Sequence, residues 1–129
     1  MTRPPRGDAA DAGSTGALEL MIVLPLLVLM IFGIVQMALC WHARNVVEAT
    51  AQEASRIASA VDGSCAEAQS RGVALGARLG GSFLDGAADV SCVEGATVVV
   101  TVQSHALSIL PGVRFPVTAR TEVRAPKER

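Results

Sequence analysis

The chain has 129 residues and a formal net charge of −1, and half of its residues are hydrophobic while only 3% are aromatic. A near-neutral chain offers no basic surface of the kind that binds nucleic acid, so no nucleic-acid partner is expected. After one long apolar run about 85 residues remain, which is enough for one small domain.

The apolar run extends from Leu20 to Trp41 without a charged residue, and Gln36 is its one strongly polar side chain. As a helix it spans roughly 33 Å, enough to cross a hydrocarbon core of about 30 Å. It is longer than the apolar core of a cleaved secretory signal, and Trp41 suits the membrane interface. The run therefore predicts a retained single-pass transmembrane helix with lipid as a partner. Pro25 predicts a kink or a melted turn, because it has no N–H for the carbonyl of Met21.

Beyond Trp41 the apolar pattern continues at alternating steps of four and three residues, as in an amphipathic helix. The stripe consists of Val47, Ala51, Ala54, Ala58 and Val61, with Ile57 widening it. Asp62-Gly63 is typical of a helix end. We therefore expect one continuous helix over residues 18–61. A weaker second helix is expected over residues 65–79, ending at Gly80-Gly81.

The rest of the chain is typical of strands. "DVSCV" and "TVVVTVQ" flank a short connection at Glu94-Gly95-Ala96, and "PVTARTEVR" alternates apolar and polar residues. Pro111-Gly112 predicts a turn before the last strand. The fold class predicted is α+β, with a long helix, a short second helix and a small three-stranded antiparallel sheet packed on the amphipathic half of the long helix. Residues 62–129 would form this small domain, and residues 1 to about 13 of the leader and the tail from residue 125 are expected to be disordered.

The three cysteines occupy different environments. Cys40 ends the apolar run, whereas Cys65 and Cys92 lie in the polar part. Such a pair is typical of an exported domain with one disulfide, which would contribute on the order of 3 kcal/mol; two reduced thiols are the alternative. The basic residues around the apolar run do not decide its orientation. A disulfide would place the domain outside the cell membrane, with residues 1–17 as a cytoplasmic leader.

Glu19 stands at the front edge of the apolar run, where a charge is costly. An acid at the centre of a membrane helix costs about 2.5–3.5 kcal/mol, and somewhat less near its edge. Either Glu19 lies in the headgroup layer, or it pairs with a group on a neighbouring subunit and so fixes the register of an assembly.

Other polar residues do not form a pattern typical of catalysis or of metal binding. Cys65, Cys92 and His105 lack the spacing of a metal site. The acidic residues of the domain lack the spacing of an acid–base pair, and no glycine-rich phosphate loop is present. We therefore expect no catalytic residue, no cofactor and no metal, and a protein that is not an enzyme.

The segment "GSTGALELMIVLPLLVLMIFGIVQMALCWHARNVVEATAQEASRIA" resembles the N-terminal signature of TadE-like minor pilins (pseudopilins) of tight-adherence type IV pilus systems. The matching positions are Gly13, Glu19, Leu24-Pro25-Leu26, Phe32-Gly33 and residues 51–56. The resemblance implies a pilin-like fold and a structural, membrane-anchored subunit. It also implies as partners other pilin or pseudopilin subunits, the pilus assembly platform and a prepilin peptidase.

The resemblance further implies cleavage after a glycine, with a glutamate as the fifth residue of the mature chain. Cleavage between Gly13 and Ser14 would make Glu19 the sixth residue, and cleavage after Gly16 would make it the third. Either the register differs here or the chain is not cleaved; Gly13 and Ser14 are the candidate processing residues. Glu19 would then pair with the freed amine of a neighbouring subunit, and Pro25 is the second candidate assembly residue. The competing hypothesis is a single-pass anchor for an extracytoplasmic binding domain outside any filament.

Overall fold

The computed structural model describes residue 2 and residues 9–124, with side chains from Gly16 onward. Six elements follow one another: α1 (Ala9–Ser59), α2 (Cys65–Gly80), a 3-10 turn (Gly81–Phe83), β1 (Asp89–Val93), β2 (Thr97–Ala106) and β3 (Phe115–Arg124). The predicted α+β fold class is confirmed. The disorder expected for the leader is wrong over residues 9–13, because α1 extends beyond the apolar run and begins at Ala9. Apart from residue 2, the rest of the leader and the tail from residue 125 lie outside the described residues.

The chain divides into two compact units, one up to Val35 and one from Gln36 onward. The first unit is the apolar part of α1, which is helical on both sides of Pro25. Local melting at Pro25, one of the two expected distortions, is therefore not seen. The second unit contains the rest of α1, α2 and the sheet.

The end of α1 differs from the sequence prediction. The helix ends at Ser59, and Val61 is 92% exposed, so its assignment to the apolar stripe is wrong. The physical reason is a tight turn in which the amide of Gly63 donates to the carbonyl of Ala60 at 2.9 Å. A Cβ at position 63 would collide with the carbonyl oxygen of Ile57, so this turn requires glycine.

The second helix begins and ends with recognisable caps. The hydroxyl of Ser64 accepts a hydrogen bond from the amide of Glu67 at 3.2 Å, as an N-cap does. At the other end Gly81 has φ +48°, and its amide donates to the carbonyl of Ala77. Glycine adopts this conformation at little cost, which explains why the helix stops there.

One face of α2 carries only small residues, and this allows close packing. The buried residues Ala68, Gly72, Gly76 and Gly80 recur every four positions. A Cβ on Gly72 would lie 3.3 Å from Val90 of β1 and 3.4 Å from Ala54 of α1. The helix therefore lies close against both β1 and α1.

The sheet has three antiparallel strands, as predicted, and their order is β1-β2-β3. Opposite Val102 on the central strand lie Val90 on one side and Ala119 on the other. The buried face of β2 is formed by alternate residues Val98, Val100, Val102, Ser104 and Ala106. This alternation is the ordinary period of a strand with one covered face.

The core forms where this face meets the amphipathic half of α1. Its buried residues are Val47, Ala51, Ala54, Ala58, Ala68, Ala88, Val90, Val98, Val100 and Val102. Apart from Val61, the residues of the predicted helix stripe are in this set, and Ile57, which widens the stripe, is partly buried against it. Alanine on the helix side lets the valines of the sheet approach closely, which suits a small domain.

A disulfide joins Cys65, the first residue of α2, to Cys92 in β1, with the Cα atoms 5.5 Å apart. It links residues 27 positions apart and ties the helix to an edge strand. Cys40, the remaining cysteine, is half-buried and free. Because Cys65 and Cys92 are bonded to each other, they are not free to serve as metal ligands.

Candidate functional site

Between residues 17 and 35, α1 presents an apolar surface that the described residues leave uncovered. Every residue from position 17 to position 35 is exposed. The helix is long and apolar enough to cross a membrane, and its most apolar window is 0% buried. Exposed apolar surface on this scale is typical of contact with lipid or with other helices. One apolar helix that could anchor the chain in a membrane is therefore present.

Glu19 lies on the exposed part of this helix, between Leu18 and Leu20, which are 64% and 65% exposed. In the described part of the chain its carboxylate has no ion-pair partner. The proposed assembly role of Glu19 stays a prediction, as does that of Pro25, which the structure places inside α1.

The candidate processing residues Gly13 and Ser14 fall on a part of α1 whose side chains lie outside the described residues. Their backbone belongs to α1. Cleavage between them stays a prediction.

A second feature is the polar contact made by Gln36, at the start of the second unit. Its side chain is only 8% exposed. The amide nitrogen Nε2 donates to the carbonyl of Leu107 at 3.2 Å, and Oε1 accepts from the amide of Ile109 at 3.0 Å. Gln36 thus holds the connection between β2 and β3 with both ends of its side-chain amide. The sequence showed Gln36 as the lone polar residue of an apolar run, but it did not show a partner.

Around this contact lies a second cluster of buried apolar residues. Ala43 and Val46 of α1 pack with Leu84 and Ala106, and Cys40 packs against them. Beside it, the rings of His42 and Phe83 meet edge to face with centroids 4.9 Å apart. Aromatic pairs prefer this geometry. His42 is therefore in contact with the domain as well as near the membrane edge expected at Trp41.

The third feature is the disulfide end of the domain. The amide of Cys65 donates to a carboxylate oxygen of Glu94 at 2.9 Å, so the connection between β1 and β2 also holds the start of α2. Ser64 caps the same turn. One end of α2 is therefore fixed by three contacts: the Cys65–Cys92 bond, the Glu94 carboxylate and the Ser64 cap.

Comparison with known families agrees with the resemblance noted in the sequence. Residues 15–56 match the family model described as TadE-like protein. The match covers the exposed apolar helix, Glu19, Pro25 and Gln36, and most of the amphipathic half of α1. No curated protein and no solved structure matches the chain. The resemblance to the TadE-like family is therefore confirmed over this segment, about a third of the chain, and it points to a structural protein related to the Tad pilus rather than to a catalyst.

Proposed function

We propose that this protein is a minor pilin or pseudopilin of a tight-adherence type IV pilus or a related secretion apparatus. Its helix α1 would insert in the cell membrane and then pack beside the helices of other pilin subunits. The observation that carries the proposal is the uncovered apolar helix with Glu19 near its front, inside the segment that matches TadE-like proteins.

Burial of this helix supplies the driving force. Transfer of one large apolar side chain out of water is worth about 1.5–3 kcal/mol, and the exposed run contains many of them. Lipid and neighbouring helices can both remove these side chains from water. A filament of packed helices and a membrane are therefore two environments that the same surface can occupy in turn.

Glu19 would fix the position of one helix along its neighbour, which the non-directional apolar attraction does not do. Apolar packing alone tolerates sliding of one helix along another. A carboxylate that must meet a positive group, such as the freed amine of a neighbouring subunit, makes a shifted arrangement costly. Cleavage by a prepilin peptidase between Gly13 and Ser14 would produce that amine.

The disulfide supports the orientation. Disulfides persist in oxidising compartments, so the domain from residue 62 would face away from the cytoplasm and the leader would face into it. Partners would then be other pilin subunits along the helix and the assembly platform at the membrane.

The alternative is a single-pass anchor that carries an extracytoplasmic binding domain outside any filament. The exposed helix and the disulfide fit this function equally well. The two differ in whether the leader is removed and in whether Glu19 matters for contacts with other subunits.

The first experiment is the intact mass of the protein extracted from the membrane of cells that assemble the pilus. The proposal expects the loss of residues 1–13, and co-expression with an inactive prepilin peptidase should restore the full mass. A full-length mass with an active peptidase would contradict processing.

The second experiment compares Glu19→Gln with Glu53→Gln, which makes the same chemical change at an exposed acid on the same helix. Each variant replaces the wild-type chain, and pilin subunits that co-purify with it are measured. Loss of an ion pair worth about 1.4 kcal/mol should lower co-purification about tenfold for Glu19→Gln. Equal co-purification of the two variants would favour the simple anchor.

A further inference from the structure

The connection between β2 and β3 exposes apolar side chains at the end of the domain that Gln36 holds. We call this set the loop patch. Its members are Phe83, Leu107, Ile109, Leu110 and Val113, which are 46%, 40%, 40%, 51% and 42% exposed. The amide of Leu107 donates to the carbonyl of Phe83 at 2.9 Å, so the 3-10 turn and the loop form one surface.

The position of Gln36 fixes the height of the loop patch along α1. Trp41, the residue expected at the membrane interface, follows Gln36 by five residues. On a helix this corresponds to about 7 Å. Because Gln36 bonds to the backbone of Leu107 and Ile109, this part of the loop lies at the level of Gln36, on the apolar side of Trp41.

Three amides of this loop have hydrogen-bond partners within the chain, which suits an environment poor in water. Unpaired N–H groups are costly in lipid. Here the amide of Ile109 bonds to Gln36, that of Leu110 to the hydroxyl of Ser108 at 3.1 Å, and that of Val113 to the carbonyl of Leu110 at 3.4 Å. Pro111 has no N–H, and Gly112, with φ +78°, completes the turn.

The charge pattern marks the edge of the same surface. Residues 106–113 contain no charged side chain, and Arg114 follows directly. The guanidinium of Arg114 is exposed and lies 3.4 Å from the carboxylate of Asp85. An apolar segment bordered by arginine is typical of a surface that meets both acyl chains and lipid phosphates.

We propose that the loop patch inserts into the boundary between headgroups and acyl chains of the membrane that α1 spans. The domain would thus lie on the lipid surface, held by the loop as well as by the helix. This inference rests on the membrane insertion of α1 proposed above, but not on a role in a pilus.

The test measures depth with a fluorescent label in vesicles. The full chain with Cys40→Ala, which removes the free thiol, carries one new cysteine at Leu110, Ala96 or Met30, labelled with nitrobenzoxadiazole. Ala96 is exposed at the opposite end of β2 and serves as the matched control; Met30 reports insertion of α1. The vesicles are an equal mixture of phosphatidylcholine and phosphatidylglycerol, with nitroxide quenchers on the headgroup or on the acyl chain.

The proposal expects quenching of the label at Leu110 to be several-fold stronger than quenching at Ala96. The label at Leu110 should lie deeper in the bilayer than the headgroups but less deep than the label at Met30. Val113→Cys gives the same reading if Leu110→Cys does not fold. Quenching at Met30 but not at Leu110 would overturn the inference and leave α1 in the membrane. Absence of quenching at Met30 would instead overturn membrane insertion itself. A Leu110 label shielded only at high protein-to-lipid ratio would show that a second copy covers the patch, which also overturns the inference.

Discussion

Gln36 and Ile109 lie 73 positions apart in the chain, yet the side-chain oxygen of Gln36 accepts a hydrogen bond from the amide of Ile109 at 3.0 Å. This bond joins the end of the apolar run to the connection between β2 and β3. An isolated amide in a membrane helix would be costly, and a loop without a tertiary partner would move freely. One side chain solves both problems, because the loop satisfies the amide and the amide holds the loop.

Replacement of Gln36 by leucine should therefore release the loop. The substitution leaves the amide of Ile109 and the carbonyl of Leu107 without their partner, at a cost of about 1–3 kcal/mol for each group that stays buried. Hydrogen exchange at Ile109, measured in detergent micelles, should become at least tenfold faster. Gln52→Leu is the control, because Gln52 is exposed on the same helix. Unchanged exchange at Ile109 would mean that the contact does not hold the loop.

Reduction of the disulfide should lower the stability of the domain. The bond links residues 27 positions apart, so its loss should cost about 3 kcal/mol and lower the Tm by roughly 10 °C or more. Thermal unfolding with and without a phosphine reductant measures this. Cys40→Ala should keep the full response to reductant, whereas Cys65→Ala with Cys92→Ala should lose it. A chain with the same Tm before and after reduction would contradict the prediction.

The small-residue face of α2 should not tolerate a large side chain. Gly72→Leu places its side chain against Val90 and Ala54, where a Cβ alone already meets atoms at 3.3–3.4 Å. Overpacking of this kind costs about 1–3 kcal/mol or more, seen as a lower Tm. Ala77→Leu, on the exposed face of the same helix, should change the Tm little. If both variants unfolded at the same temperature, the result would contradict the close packing of α2 against Val90 and Ala54.

Much of the fold follows from local pattern. The valines at positions 98, 100 and 102 share a face because strands alternate, and the stripe that includes Val47 packs on them because both faces are apolar. The prediction was wrong at Val61, since a periodic pattern does not show where a turn ends the helix. It also ended β2 too early: Ser104, His105 and Ala106 have weak strand propensity, but pairing with residues 115–117 extends the strand.

The contacts of the candidate site were harder to predict from the sequence than the fold. The sequence favoured a bond between Cys65 and Cys92, because Cys40 lies in the apolar run, but left two reduced thiols as the alternative. The partner of Gln36 could not be predicted, because a contact between residues 71 or more positions apart depends on the completed fold. The partner of Glu19 poses a different problem: in the proposed assembly it belongs to another chain, so neither this sequence nor this structure contains it.

Pro25 offers a last test of the assembly hypothesis. In a helix interior alanine is more favourable than proline by about 3 kcal/mol, because proline lacks the N–H that would bond to the carbonyl of Met21. Pro25→Ala should therefore keep or raise the helical content of the protein in micelles, measured by circular dichroism. If the proline shapes α1 for packing in a filament, the same variant should reduce the number of filaments per cell several-fold. Val23→Ala, a change on the same exposed helix that keeps every backbone N–H, should leave filament number near wild type. Normal filaments with Pro25→Ala would remove Pro25 from the assembly residues, whatever the outcome for Glu19.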